Sequence, residues 1–384
     1  MMIYPRDDER AIRVQRMVKD WAASGLIDPA QRDRMLADLQ VDYRRTNLPL
    51  RVALFLFGFL ILSAMAGLMA VMSDLREGFG IVLMVAAAAA FALAQWLIGR
   101  YRFYRFGVEE AAAVFAIASF GLGAAIFWSG GFSALRGFIA LAGASFIIFQ
   151  RFGFLYAGVA AVLFAGMIPF NFSVFTGLIA DTPRRMMAII VLLIVFGIAR
   201  ERRKDHEWEF PGDLYAVLEA TAWLAMYVLT NLKISEWLSV PDGYEMIYWA
   251  TYAFTWILPA AGLVLAVIDR HRWMLDANIV MALVTLMTNK AYLGGVQQPW
   301  DPIVFGVMMI ALALILKRWL SSGADGSRSG FIAERLLASE KERLAIAGSA
   351  TAFGPGAPRP HTHEPPPPTF GGGSSGGAGA AGKF

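Results

Sequence analysis

The sequence predicts an all-α fold: a polytopic transmembrane helix bundle of about ten spans, with a cytoplasmic N-terminal helical hairpin and a disordered C-terminal tail. Three observations predict it. Apolar residues make up 57% of the 384 and charged residues 17%, against roughly 45–50% and about 25% in soluble domains. Apolar stretches of spanning length recur from residue 52 to residue 319. The basic residues between them alternate in density along the chain, as cytoplasmic and external loops do.

Residues 1–47 come first and are polar. Ala11, Val14, Val18 and Trp21 recur at three- and four-residue spacing and so line one face of a helix, which Gly25 ends. Asp28, Pro29 and Gln31 have the spacing of a capping box that starts a second helix, with Met35, Leu36 and Leu39 on its apolar side. The pair should form a hairpin against the membrane surface or the bundle, where it also offers a surface to protein partners. No cleavable signal peptide is expected, because the first apolar run is too long for one and should remain as an anchor.

The transmembrane domain, 48–320, follows. Its expected spans are 52–72, 79–98, 109–128, 132–149, 153–170, 186–199, 214–230, 247–268, 274–291 and 303–319. A bilayer core about 30 Å thick demands stretches of about this length. The sixth is short and the ninth polar at both ends, so eight or nine spans are the alternatives. With the N-terminus inside, the inward loops hold twelve Arg and Lys (Arg100, Arg102, Arg105, Arg151, Arg200, Arg202, Arg203, Lys204, Arg270, Arg272, Lys317 and Arg318). The outward loops hold six: Arg76, Arg136, Arg184, Arg185, Lys233 and Lys290. Both termini are therefore expected in the cytoplasm.

Residues 321–346 should form a short charged helix, and 347–384 a tail too rich in Pro, Gly and Ser to offset its own ordering entropy. That tail presents Phe384 on a tether and is the second candidate surface for protein partners.

Several functions are disfavoured. A net charge of +4 is spread through short loops instead of forming one patch, so no nucleic-acid partner is expected. The absence of cysteine excludes disulfides, thiol catalysis and thiolate metal sites. No phosphate-cradling, zinc-hydrolase or serine-hydrolase motif occurs. The His361 and His363 pair lacks a rigid third ligand, and His206 and His271 read as solvated imidazoles in basic loops. The chain is accordingly expected to work without a catalytic residue, a cofactor or a metal, its obligatory partner being the lipid bilayer.

The residues that invite a functional reading are acids at the cytoplasmic starts of odd-numbered spans. Glu109 and Glu110 open the third, Glu219 lies in the seventh, and Asp276 with Asn278 begins the ninth. Glu109, Glu110 and Asp276 fall near a first turn, where a carboxylate is favoured by roughly 0.3–1 kcal/mol. Glu219 lies deeper and needs a partner, a proton or water, since burying a charge in a bilayer costs on the order of 3 kcal/mol. It is either one half of a structural pair or the working carboxylate of a proton- or ion-coupled carrier, with Asp276 beside it. Pro259 should kink the eighth span and free a backbone carbonyl.

Trp21, Gly25, Leu26 and Ile27, followed by the capped helix and the first span "LFLFGFLILSAMAGLMAV", resemble the bacterial membrane proteins grouped as domain of unknown function 2157. The resemblance covers roughly residues 10–75. It implies a bacterial inner-membrane location and carries no catalytic residue with it.

Overall fold

The computed structural model describes residues 3–72, 78–127, 133–173, 181–206, 214–235, 245–295, 298, 300–323, 327–328 and 331–332. They lie in the unit Met1–Glu334, while the unit Arg335–Phe384, with the tail and most of the expected charged helix, lies outside them. The expected hairpin is present. Its helices are α1 (Arg6–Ala23) and α2 (Pro29–Asp38). Gly25 takes a φ of +75° after α1, a conformation open to glycine at little steric cost. The Asp28 side chain accepts from the Gln31 backbone while the Gln31 side chain accepts from Asp28 N–H, completing the capping box. Ile12 and Val18 bury the inner face of α1, but α2 has no fully buried residue, and the expected apolar side stays partly open at Met35.

A helical bundle follows: α3 (Leu48–Met72), α4 (Phe79–Tyr101), α5 (Val108–Phe127), α6 (Ala134–Phe152), α7 (Leu155–Met167) with a 3-10 turn Ile168–Asn171, α8 (Asp181–His206), α9 (Leu214–Thr230), α10 (Leu232–Ser235), α11 (Glu245–Ile268), α12 (Arg272–Tyr292) and α13 (Asp301–Ser321). Each apolar stretch picked out in the sequence coincides with one of these helices. Among the described residues six are long and apolar enough to cross a membrane, namely α3, α4, α5, α6, α8 and α11. The extended α7 and α9 are apolar but shorter. The stretch that looked short, 186–199, is the middle of a 26-residue helix. Its ends are polar, which hid its length. Near the end of the described chain Ser327–Arg328 pairs with Phe331–Ile332 as a minimal antiparallel ribbon.

Burial sorts the helices. In α5, 61% of the apolar window is buried inside the protein, against 6% in α3. So α5 is a core helix, packed by α3, α4 and α6, while Phe57, Leu60 and Leu68 of α3 face outward. Small residues set the close approaches. A Cβ on Gly121 would collide with the Leu141 side chain, and one on Gly123 would lie 2.8 Å from the Gly80 carbonyl, which brings α5 against α6 and α4. Ala157 is fully buried, whereas Gly67 has open space around it.

In the second half α7, α8, α11 and α12 pack around α9. Pro259 sits inside α11, where it cannot bond the Thr255 carbonyl four residues earlier. That carbonyl accepts instead from Thr285 Oγ1 of α12 at 2.8 Å. The Tyr227 hydroxyl lies 2.8 Å from the same Thr285 oxygen, and Asn231 Nδ2 donates to Tyr227 at 3.1 Å. The Met281 carbonyl of α12 also lies 2.9 Å from Thr285 Oγ1, so the single hydroxyl hydrogen is shared between two carbonyls. Because carbonyls can only accept, the hydrogens run one way: Asn231 to Tyr227 to Thr285, and on to Thr255 and Met281.

The N-terminal segment is bonded to the bundle. Ile3 N–H donates to Arg151 O at 2.8 Å, and the Tyr4 hydroxyl to Phe103 O at 3.2 Å. Arg44 N–H donates to Arg102 O and Tyr104 N–H to Arg44 O, at 2.9 and 3.1 Å, a parallel bridge between the hairpin linker and the α4–α5 turn.

Candidate functional site

Glu219 is reached from three directions, and the α11–α12 turn explains how. Arg270 takes a left-handed φ of +51° that stops α11, and His271 N–H folds back to Ala266 O at 2.8 Å. The same His271 caps the next helix, its Nδ1 accepting from Met274 N–H at 2.8 Å. A three-residue corner thus ends one helix, starts another and aims two side chains inward. Asp269 meets Arg200 at 2.6 Å and Arg203 at 3.2 Å, both from the last turns of α8. His271 turns its other nitrogen toward Glu219.

Glu219 lies near the start of α9, 1% exposed, and Arg203 opposite it is 3% exposed. Arg203 Nε donates to Glu219 Oε2 at 2.7 Å. Two guanidiniums, Arg200 and Arg203, therefore face two carboxylates, Glu219 and Asp269, and the formal charge of the cluster cancels if His271 is neutral. Its environment keeps it so. Burial, followed by the field of Arg203, pushes the His271 imidazole down to about 4. With Nδ1 acting as an acceptor, the proton of the neutral ring sits on Nε2. That nitrogen is buried, lies 3.7 Å from Glu219 Oε2 and has no hydrogen-bond partner among the described residues.

Arg200 and Arg203 are three apart on one helix and Asp269 and His271 two apart in one turn, a spacing that puts each pair on one side. The reading of His271 as solvated is corrected by its burial, 5% exposed, which follows from its capping role.

The other expected site residues go elsewhere. Asp276 is mostly exposed and its only charged neighbour among the described residues is Arg272 at 3.9 Å, so it does not join Glu219. Asn278 is buried in a separate contact, accepting from Trp223 Nε1 at 3.0 Å and donating to Met274 O at 2.7 Å. Glu109 is fully buried and accepts from the Phe106 and Gly107 backbone N–H groups at 2.6 and 3.1 Å, closing the turn ahead of α5. Glu110 takes both arms of the Arg51 guanidinium from α3, one of them at 2.6 Å. Glu109 and Glu110 are first-turn groups, as expected, but Glu110 also clamps two helices together.

Cations on the opposite side have protein partners. Arg184 donates to Phe172 O and Arg185 to Leu229 O, at 3.1 and 3.2 Å, supplying donors to the ends of neighbouring segments. Lys290 does not simply reach outward: it pairs with Asp301 at 2.8 Å and lies over the Trp300 ring. His361 and His363 lie outside the described residues.

Comparison with protein-family models, with curated proteins and with solved structures returned no match for this chain.

Proposed function

We propose that this chain is a multi-pass protein of a bacterial inner membrane, related to the family its hairpin resembles, that organises or recruits partners without catalysing a reaction. In this reading ten helices cross the bilayer and both termini are cytoplasmic. The observation that carries it is that the buried carboxylates of the described bundle are met from within it: Glu219 and Asp269 by Arg203 and Arg200, Glu110 by Arg51, and Glu109 by the Phe106 and Gly107 backbone N–H groups. A carboxylate tied to an arginine at 2.7 Å is suited to holding helices together, since proton uptake would strand its partner.

The hairpin is bonded into the bundle, which leaves residues 347–384 as the segment free of that role in this reading. The test compares full-length protein with protein ending at residue 346, each crosslinked in intact membranes. Partners lost with the tail support the proposal, and identical partner sets with equal yields remove its basis. Reporters fused at Met1 and at Phe384 should both read the cytoplasm.

A second reading, a proton-coupled carrier, is favoured by one observation: the Nε2–H of His271 faces Glu219 without a bond of its own. Asp276 has no part in it. Proton flux in proteoliposomes, present in wild type and lost in Glu219→Gln with the protein still folded, would select this reading.

A further inference from the structure

The hairpin and the α4–α5 turn meet at one ring, Tyr104. The parallel bridge between Arg44 and Phe103 fixes their register, so Arg45 comes level with Tyr104, and Arg105 is the residue after it. The Arg45 Cζ lies 5.7 Å and the Arg105 Cζ 5.8 Å from the centroid of the Tyr104 ring. Arg105 does so with a φ of +53°, a left-handed conformation that non-glycine residues rarely adopt. A third guanidinium comes from α1. Arg16 follows Gln15, whose amide joins Arg45 Nη1 at 3.0 Å to the Leu39 carbonyl, and partial burial, followed by the nearby charges of Arg105 and Arg45, holds its guanidinium below the usual arginine range.

Arg51, Arg200 and Arg203 each face a carboxylate. Among the described residues no carboxylate pairs with Arg16, Arg45 or Arg105, and the neighbouring Glu9 is taken by Arg13 at 2.6 Å. Arg16 and Arg45 are exposed. Three chain segments have been folded together so that like charges converge on an open face, an arrangement that costs free energy until an anion arrives. Guanidinium forks match the oxygens of a phosphate, which can take several of them at once.

We propose that Arg16, Arg45 and Arg105, gathered on Tyr104, form a binding site for a phosphate group, carried either by an anionic phospholipid headgroup or by a soluble phosphate compound. The site is separate from the Glu219 cluster and does not rest on the function proposed above.

The test uses full-length protein in detergent micelles and three probes: short-chain phosphatidic acid, short-chain phosphatidylcholine and inorganic pyrophosphate. Each arginine near such a site contributes about 1 kcal/mol, so each replacement should weaken phosphatidic acid binding about fivefold. Arg16→Gln and Arg105→Gln should show this singly and multiply it together, while Lys317→Gln on α13 should not. Phosphatidic acid alone responding identifies a headgroup, and pyrophosphate binding as well identifies a soluble ligand. Arg16→Gln carries a second readout. It removes repulsion and breaks no described ion pair, so the unliganded protein should melt at a higher temperature than wild type even as binding falls. Equal affinity of wild type and the double variant for every probe, an equal loss in Lys317→Gln, or a lower unliganded melting temperature in Arg16→Gln would overturn the proposal.

Discussion

Arg203 Nε of α8 donates to Glu219 Oε2 of α9 across 2.7 Å, with both side chains almost wholly removed from the surroundings. Breaking a buried pair by removing one partner costs about 3–5 kcal/mol, because a charge is left uncompensated. Glu219→Gln should therefore destabilise the protein by about 3 kcal/mol, somewhat less if Asp269 takes up part of the Arg203 charge. Replacing both residues, Glu219→Gln with Arg203→Gln, should recover part of that loss. Chemical unfolding in micelles measures both, and an unchanged midpoint in the single variant would mean the pair is not structural.

His271 gives the protein an acid-sensitive corner. The folded imidazole titrates at about 4 and the unfolded one near 6.5, so the unfolded state takes up its proton first as pH falls. The stabilising contribution is complete above 6.5 and is lost as pH falls through the window to about 4. At about 1.4 kcal/mol per pKa unit it amounts to roughly 3 kcal/mol. His271→Asn keeps an acceptor for Met274 N–H and removes the titration, so its stability should vary less across this range than that of wild type. Parallel pH profiles for the two proteins would count against the assignment.

The Thr255 carbonyl depends on Thr285 because Pro259 denies it a helix donor. Thr285→Val should cost about 1–3 kcal/mol, the penalty for leaving a buried acceptor unsatisfied. Pro259→Ala restores a backbone N–H at that level, so the same Thr285 change should cost less in that background. A double-mutant cycle on melting free energies reads the coupling, which is expected to be nonzero.

Two glycines should respond in opposite directions. A Cβ on Gly262 would collide with Asn278 Oδ1, so Gly262→Ala must push apart α11 and the Asn278–Trp223 contact, at about 1–3 kcal/mol. Gly67 has nothing within 4 Å of its missing Cβ. Gly67→Ala should stabilise α3 by about 0.5–1 kcal/mol. Melting temperatures of the two variants should fall on either side of wild type.

Much of this was legible in the sequence. Residue spacing placed the hairpin and its capping box, and hydropathy placed the helices, because both are local properties of the chain. The requirement of Glu219 for a partner was legible too, since a carboxylate that deep in an apolar helix cannot stand alone. Its partner was not. Arg203 reads as a loop residue because the apolar run stops at residue 199, while α8 continues to His206 on polar residues. His271 reads as solvated because nothing in its neighbours reveals that it caps α12 from a buried corner. Glu110 similarly conceals Arg51, 59 residues earlier. A single sequence contains no pattern linking residues so far apart, and the Asp276 that shares the depth of Glu219 in a linear reading faces away from it once the helices pack.

The backbone bonds between Arg44 and the turn at residues 102–104 also set an order of events during synthesis. The hairpin leaves the ribosome complete, yet the strand partner that anchors its linker is made only after α3 and α4 have been translated. Until then the hairpin lacks that anchor, whereas the capping box between Asp28 and Gln31 needs only residues already made.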